Sequence, residues 1–216
     1  MDQEQMSIPR AEVGRCFSFD NRDNGYARGE EFAAIILERL SDVIKDGEII
    51  RAIIRNSGVN QDGSLRGTRS GEVFIEARDT NKLLIIGSVQ PNFGNLEGAS
   101  GLTGLIKTAL ILEHGIVSPN ADFEKVNPKI DTKFLKVQVP REDMICSTNG
   151  IRKVSINFFG LEGTNTHTIL DDAFQYLDSQ NLTGNHDTVP LKSELEPMKP
   201  MPSEKADKIK PKSRLR

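Results

Sequence analysis

Asn92-Phe-Gly-Asn-Leu-Glu-Gly-Ala-Ser-Gly-Leu-Thr-Gly-Leu-Ile-Lys-Thr-Ala-Leu-Ile-Leu-Glu-His-Gly115 is the stretch on which the fold turns. Within it Leu102, Leu105, Ile106, Ala109 and Leu112 recur at helical spacing, which predicts a helix over 98–114. Gly98, Gly101 and Gly104 give its first turns a smooth face for close packing, each at about 1 kcal/mol of helix propensity. Gly115 stops it. Ahead of the helix, the Gly and Asn residues of 92–101 can adopt positive φ and turn backbone N–H groups toward a ligand.

Working outward, short apolar runs flank this helix on both sides. The run 32–40, Phe-Ala-Ala-Ile-Ile-Leu-Glu-Arg-Leu, has strand length. A helical turn over 41–47 follows, with Ser41 as N-cap and Gly47 as stop. The β-branched 49–54 predicts its paired strand, ending in the turn-rich 56–63. Further strands are predicted at 73–77, 83–89, 134–139, 153–158 and 166–170. A second glycine loop, Phe159-Gly-Leu-Glu-Gly-Thr-Asn165, joins the last two. Neither loop is a P-loop, because no Gly-Lys-Ser/Thr follows, and neither reads G-x-G-x-x-G. Many short strands around a glycine-bearing helix imply a layered α/β sandwich.

Composition bounds the function without naming it. The 216 residues are 37% hydrophobic and 27% charged, with a formal net charge of -3, so no whole-chain field favours nucleic acid or membrane. Charge breaks every apolar run short of the ~20 residues of a membrane span, and the polar N-terminus is no signal peptide. These features suggest a cytoplasmic protein. Two Cys, Cys16 and Cys146, cannot build a disulfide framework or a four-Cys zinc site. The three His have no metal-ligand spacing, so no metal or cofactor is expected. Three segments follow: a flexible N-terminus over 1–13, a folded body over 14–177, and a disordered tail over 178–216. Five of the ten Pro fall in that tail, which has no aromatic residue and too little apolar surface to offset its ordering entropy. Its end, 205–216, is basic, as a solvated tail can be.

Four motifs in order give a sharper reading. They are Phe19-Asp-Asn-Arg-Asp-Asn-Gly-Tyr-Ala-Arg-Gly-Glu30, Gly58-Val-Asn-Gln-Asp-Gly63, Ile86-Gly-Ser-Val-Gln-Pro-Asn-Phe-Gly-Asn-Leu-Glu-Gly-Ala-Ser-Gly101 and Gly163-Thr-Asn-Thr-His167. Together they resemble the β-ketoacyl synthase (ketosynthase) domain of polyketide synthases. The segment Ile169-Leu-Asp-Asp-Ala-Phe-Gln-Tyr-Leu177, with Gly184-Asn-His186, resembles the exit from that domain in fungal highly reducing, iterative synthases. The resemblance covers about 14–187 and implies the C-terminal part of a thiolase-like α/β/α sandwich that normally dimerises. It also implies a family activity, the decarboxylative joining of an acyl chain to a malonyl unit on acyl carrier protein.

The same resemblance marks departures at the catalytic positions. The family's nucleophilic Cys lies on a sharp elbow in the N-terminal half, outside the match, and neither Cys16 nor Cys146 has an elbow sequence around it. The motif Glu-Ala-His-Gly-Thr-Gly-Thr corresponds to Glu76-Ala-Arg-Asp-Thr-Asn-Lys82, which puts Arg78 where the first catalytic His belongs. The motif Lys-Thr-Asn-Ile-Gly-His corresponds to Gln90-Pro-Asn-Phe-Gly-Asn95, so Gln90 replaces the Lys and Asn95 the second His. Decarboxylation calls for neutral imidazole donors at the developing enolate. Arg is permanently charged, and Asn can donate a hydrogen bond but cannot act as a base. The family's Gly-Phe-Gly-Gly gate reads Gly160-Leu-Glu-Gly163, leaving Phe159, Gly160, Leu161, Gly163 and Thr164 as the substrate-loop positions. The chain is also short on both sides of Glu76, where a helix between Gly71 and Val73 and a loop between Lys82 and Leu83 are expected to be missing. His167 matches a structural family His.

The sequence reading is therefore a truncated, degenerate ketosynthase segment without condensing activity. Acyl carrier protein and acyl or malonyl thioesters are its implied partners, weakly bound or lost. The alternative is a non-catalytic interaction or acyl-binding module that pairs with itself or an intact polyketide synthase. Complementation by a half carried on another chain, and nucleic-acid binding by the basic tail, rank behind these.

Overall fold

A computed structural model describes residues 11, 14–61, 83–146, 150–160 and 163–189. The expected strand at 73–77, the short regions either side of Glu76, and the basic end of the tail lie outside the described residues, as does nearly all of the expected flexible N-terminus.

The central sheet has three strands in the order β2-β8-β7, both pairings antiparallel. Here β1 is Ile49–Ile50, β2 is Ile53–Gln61, β7 is Lys153–Phe159 and β8 is Thr164–Asp171. The long helix α3, Ser100–His114, lies on β7, and its glycines explain how closely. A Cβ on Gly101 would stand 3.7 Å from the Phe158 ring, and one on Gly104 only 3.0 Å from it. Leu112 on the same helix is fully buried with Ile156 and Leu170, and Leu105, Val154 and Phe158 pack around them. The expected start at Gly98 is a 3-10 turn, Glu97–Ala99, and Gly115 ends the helix in the left-handed conformation at φ 68°. Glycine adopts that geometry at no steric cost.

A second, smaller core joins the ends of the body. Helix α1, Leu40–Asp46, packs Leu40, Val43 and Ile44 against Ile50, Ala173 and Leu177. Ala173 and Leu177 belong to α5, Ala173–Ser179, capped by the Asp172 side chain, which accepts from the Gln175 N–H. Strand β9, Asn185–His186, pairs in parallel with β1. Two further two-residue strand pairs and two short helices complete the layer: β3 (Leu84–Ile85) with β5 (Val137–Gln138), β4 (Ile116–Val117) with β6 (Met144–Ile145), α2 (Gln90–Phe93) and α4 (Thr132–Leu135).

Several expectations are corrected. The run 32–40 is not a strand: 30–39 is irregular and pairs with neither edge strand of the sheet, β2 or β7, and Phe32, Ile36 and Leu37 are exposed. Ser41 lies inside α1, whose N-cap is Arg39. The expected turn at 56–63 is strand up to Gln61, since β8 pairs with it register by register through Gln61↔Thr164. A register shift between Ile54 and Asn56 frees Arg55, which lies 3.4 Å from Asp171 and stacks 4.6 Å above Tyr176. The strand expected at 134–139 begins as α4, because the Asp131 side chain caps the Phe134 N–H and starts a helical turn.

The tail boundary at 178 is also corrected, over Asp178–Val189. Four polar anchors hold this strap: the Val189 N–H donates to the Glu113 carbonyl at 2.7 Å, Arg152 to the Val189 carbonyl at 3.0 Å, Arg51 to Asp187 at 2.9 Å, and the Asn185 amide to the Gly47 carbonyl at 2.7 Å. Composition missed this because polar contacts to distant residues order the segment, with Gly184 seated on Ile50 and Leu177.

Candidate functional site

The Gln90–Asn95 corner is built by a polar network that fixes the chain before α3. Ser88 donates its N–H to Asn120 Oδ1 at 3.0 Å, and Asn120 donates to the Ser18 carbonyl at 3.0 Å. The Ser88 hydroxyl accepts from the Gln90 N–H at 3.2 Å, and Ser18 Oγ lies 3.5 Å from Gln90 Oε1. Beneath this turn the Lys107 ammonium donates to the Ser88 carbonyl at 3.2 Å, and its half-buried position pushes its pKa down. Pro91 follows Gln90 in the first turn of α2, and Gly94 leaves that helix at φ 79°. A Cβ on Gly94 would stand 2.9 Å from the Gly29 nitrogen, so only glycine fits between the two chains.

Asn95 is tied down by its backbone. Its N–H donates to the Ala27 carbonyl at 2.7 Å and its carbonyl accepts from Gly29 at 3.0 Å, forming a parallel bridge to Arg28. Its side-chain oxygen accepts from the Glu97 N–H at 3.4 Å. Gln90 and Asn95 thus flank one short helix, and the helix borders an open cleft of about 460 Å³ with Arg15, Cys16, Arg28 and Asp122. Among the described residues the cleft is lined by no imidazole and by no carboxylate free of an arginine, since Asp122 pairs with Arg15 at 3.3 Å.

Cys16 lines the cleft yet is almost fully buried. Its sulfur accepts from the Ala27 N–H at 3.2 Å and lies 3.6 Å from the Ala27 carbonyl. It substitutes for a backbone pair. Cys146 follows β6, and burial raises its pKa against the opposing charge of Arg152. A raised pKa removes the thiolate that nucleophilic attack requires.

The second predicted loop is a tight hairpin between β7 and β8. Phe159 closes the ladder opposite Asn165. The Gly160 N–H then donates to the Thr164 carbonyl at 2.7 Å, with Gly163 at φ 89° donating to the Gly160 carbonyl at 3.0 Å. A Cβ on Gly160 would stand 2.7 Å from the Thr164 carbonyl oxygen. These residues do not line the cleft of Gln90. Leu161 and Arg78 lie outside the described residues. His167 sits on β8 opposite Asn157, its Nδ1 2.7 Å from Asn157 Oδ1, as a cross-strand polar pair. His186, placed in the tail from sequence, is in β9 beside Phe174.

Two features lay outside the sequence reading. The link of Ser18, Ser88 and Asn120 carried no signal, because it joins positions 102 and 32 apart, and Ser88 stands in the third motif without any mark of its partners. Asp20 lies in the first motif, and its role is architectural: it binds Arg22 and the N–H groups of Glu124 and Lys125, clamping the 121–127 loop. Among the described residues no group of three or more His, Cys, Asp or Glu is placed to hold a metal ion, and no helix is long and apolar enough to cross a membrane.

Comparison with known proteins agrees with this geometry. Residues 68–124 match the family model for the β-ketoacyl synthase C-terminal domain. The chain is 38% identical to highly reducing polyketide synthase 40 of Fusarium mangiferae, over 82% of this chain and 9% of that protein. It is also 38% identical to highly reducing polyketide synthase NEC1 of Pyricularia oryzae, over 82% of this chain and 8% of that one. The ketosynthase from module 6 of the bacillaene synthase of Bacillus subtilis superposes with a TM-score of 0.69 at 25% identity, over 76% of this chain and 38% of that one. The chain thus spans under a tenth of these curated relatives. The chain is a segment of the thiolase-like β-ketoacyl synthase fold, related to the ketosynthases of fungal highly reducing polyketide synthases.

Proposed function

We propose that this ketosynthase segment does not catalyse decarboxylative Claisen condensation. The observation that carries this reading is the corner at Gln90 and Asn95. Where the family uses a Lys and a His, two neutral carboxamides stand, and Asn95 is held by the bridge to Arg28. Arg78 stands at the third family position. Enolate formation from a malonyl thioester needs hydrogen-bond donors preorganised at the thioester oxygen. An Asn donor polarises a carbonyl, but a carboxamide cannot take up or release a proton near neutral pH as an imidazole does. The two Cys add support, one sequestered by the backbone and the other with its thiolate disfavoured by burial. Acyl carrier protein and acyl or malonyl thioesters, the family's partners, are accordingly bound weakly or not at all, in the cytoplasm.

The test is carbon dioxide release from malonyl carrier protein with an acyl donor. The expected rate equals the no-protein control, and release above it refutes the reading. A second reading is favoured by the exposure of Phe32, Ile36, Leu37, Ile106 and Leu110. It makes the segment a non-catalytic interaction or acyl-binding module that pairs with an intact polyketide synthase. Co-purification with such a synthase is its measure.

A further inference from the structure

The turn Asp23-Asn24-Gly25 joins two anchored stretches of chain. Upstream, the Asp23 N–H donates to the Asp20 carbonyl at 3.1 Å, and the Asp20 carboxylate is clamped by Arg22, Glu124 and Lys125. Downstream, the Tyr26 carbonyl accepts from the Ala11 N–H at 3.0 Å. Ala27 then gives its N–H to Cys16 Sγ at 3.2 Å, and its carbonyl accepts from the Asn95 N–H at 2.7 Å. Asn24, between the anchors, is exposed. An asparagine that precedes glycine is open to attack on its own carboxamide, because glycine has no Cβ to block the approach of its backbone nitrogen. Here the Gly25 N–H points to Asp23 Oδ1 at 3.5 Å. That is too long to lock the nitrogen, and it places a carboxylate where the proton must go, at the loose distance from which proton acceptors close in.

We propose that Asn24 is a self-modification site: in the folded chain it deamidates through a succinimide, and the isoaspartyl product releases Ala27 from Cys16 and Asn95. The Gly25 nitrogen bonds to Asn24 Cγ while its proton passes to the Asp23 carboxylate. The Cγ–Nδ2 bond breaks, and ammonia leaves with that proton. Water opens the ring at either carbonyl, giving aspartate or isoaspartate, with no change of oxidation state. Isoaspartate carries the main chain through the side-chain carboxyl and so inserts a methylene carbon just before Gly25. The stretch after it is held at Tyr26 by Ala11, at Ala27 by Cys16 and Asn95, and at Gly29 by the Asn95 carbonyl at 3.0 Å. An extra backbone atom ahead of these bonds shifts their register, so Cys16 loses the N–H that occupies its sulfur.

The test ages the full chain at neutral pH, in native buffer and in urea, and follows tryptic peptide 23–28 by chromatography and mass spectrometry. The chain's other Asn-Gly pair, Asn149-Gly150, falls in a different peptide. Native conversion should reach at least a third of the rate in urea, and D23S should slow the native rate at least threefold while leaving the urea rate unchanged. In the isoaspartyl fraction Cys16 should be alkylated at least tenfold faster than in the fresh chain. N24Q, whose longer side chain closes the ring far more slowly, should keep the parent circular dichroism and a slow Cys16 on ageing. Fresh N24D adds the charge without the methylene and should also keep Cys16 slow. Tenfold protection of Asn24 in the native chain, indifference to D23S, a Cys16 that stays slow after conversion, or a fast Cys16 in fresh N24D would each overturn the proposal.

Discussion

Asp20 and Glu124 are 104 positions apart in sequence and joined by a hydrogen bond of 2.6 Å, from the Glu124 backbone N–H to Asp20 Oδ2. The carboxylate is fully buried and also accepts from Lys125 N–H, Arg22 N–H and Arg22 Nε. Burial works against its charge, but the Arg22 bond and the three backbone bonds outweigh it and hold its pKa well below the ordinary 3.8. Asp20→Asn should therefore cost about 2–3 kcal/mol, the worth of charge-assisted bonds that cannot all be remade. Urea unfolding at neutral pH measures it as a lower midpoint at unchanged slope.

The same group sets a pH dependence. A folded-state pKa depressed below 3.8 contributes stability that is complete above 3.8 and is lost as pH falls toward the folded value. The parent chain should lose stability between pH 4 and pH 2.5 more steeply than Asp20→Asn, as followed by denaturant midpoints across that range. Parallel curves would remove Asp20 from the account.

The two helix glycines should behave oppositely. Gly101→Ala places a methyl in ordinary contact with Phe158, at 3.7 Å, and gains helix propensity, so a stabilisation of about 0.5–1 kcal/mol is expected. At Gly104 the Cβ alone reaches 3.0 Å from the ring, and Gly104→Val forces the helix off β7 at about 1–3 kcal/mol. Thermal unfolding of the two variants gives the signs.

That contrast shows what the sequence made legible. Helical spacing and glycine placement located α3 and its packing face, because both are local in the chain. The run 32–40 shows the limit of that locality: its apolar pattern is a strand pattern, but a strand must also reach a partner, and 30–39 pairs with neither edge strand of the sheet, β2 or β7. The strap at Asp178–Val189 escaped notice because Arg51, Glu113 and Arg152, from distant elements, supply its anchors. At the candidate site, the identities of Gln90 and Asn95 were legible. The network of Ser18, Ser88, Asn120 and Lys107 beneath them was not, since its members share no spacing.

The strap gives a prediction of its own. A chain ended after 177 removes the Val189–Glu113 bond, leaves the buried Arg152 without its acceptor on Val189, and uncovers the core of Leu177 and Ile50. It should be about 2–4 kcal/mol less stable than a chain ended after 189. Equal unfolding midpoints for the two lengths would show that the strap adds nothing.

Cysteine chemistry supplies the last measurement. Cys16 is buried with its sulfur engaged by Ala27, and Cys146 is partly buried with its thiol pKa raised by that burial. Alkylation proceeds through the thiolate, so both should react with iodoacetamide at pH 7.5 at least tenfold more slowly in the native chain than in urea. Arg152→Met should slow Cys146 further, because the Arg152 charge is what opposes the effect of burial there. Mass spectrometry of timed samples resolves the two sites. Fast, selective labelling of either Cys in the native chain would mark an activated thiol and reopen the question of a nucleophile within this segment.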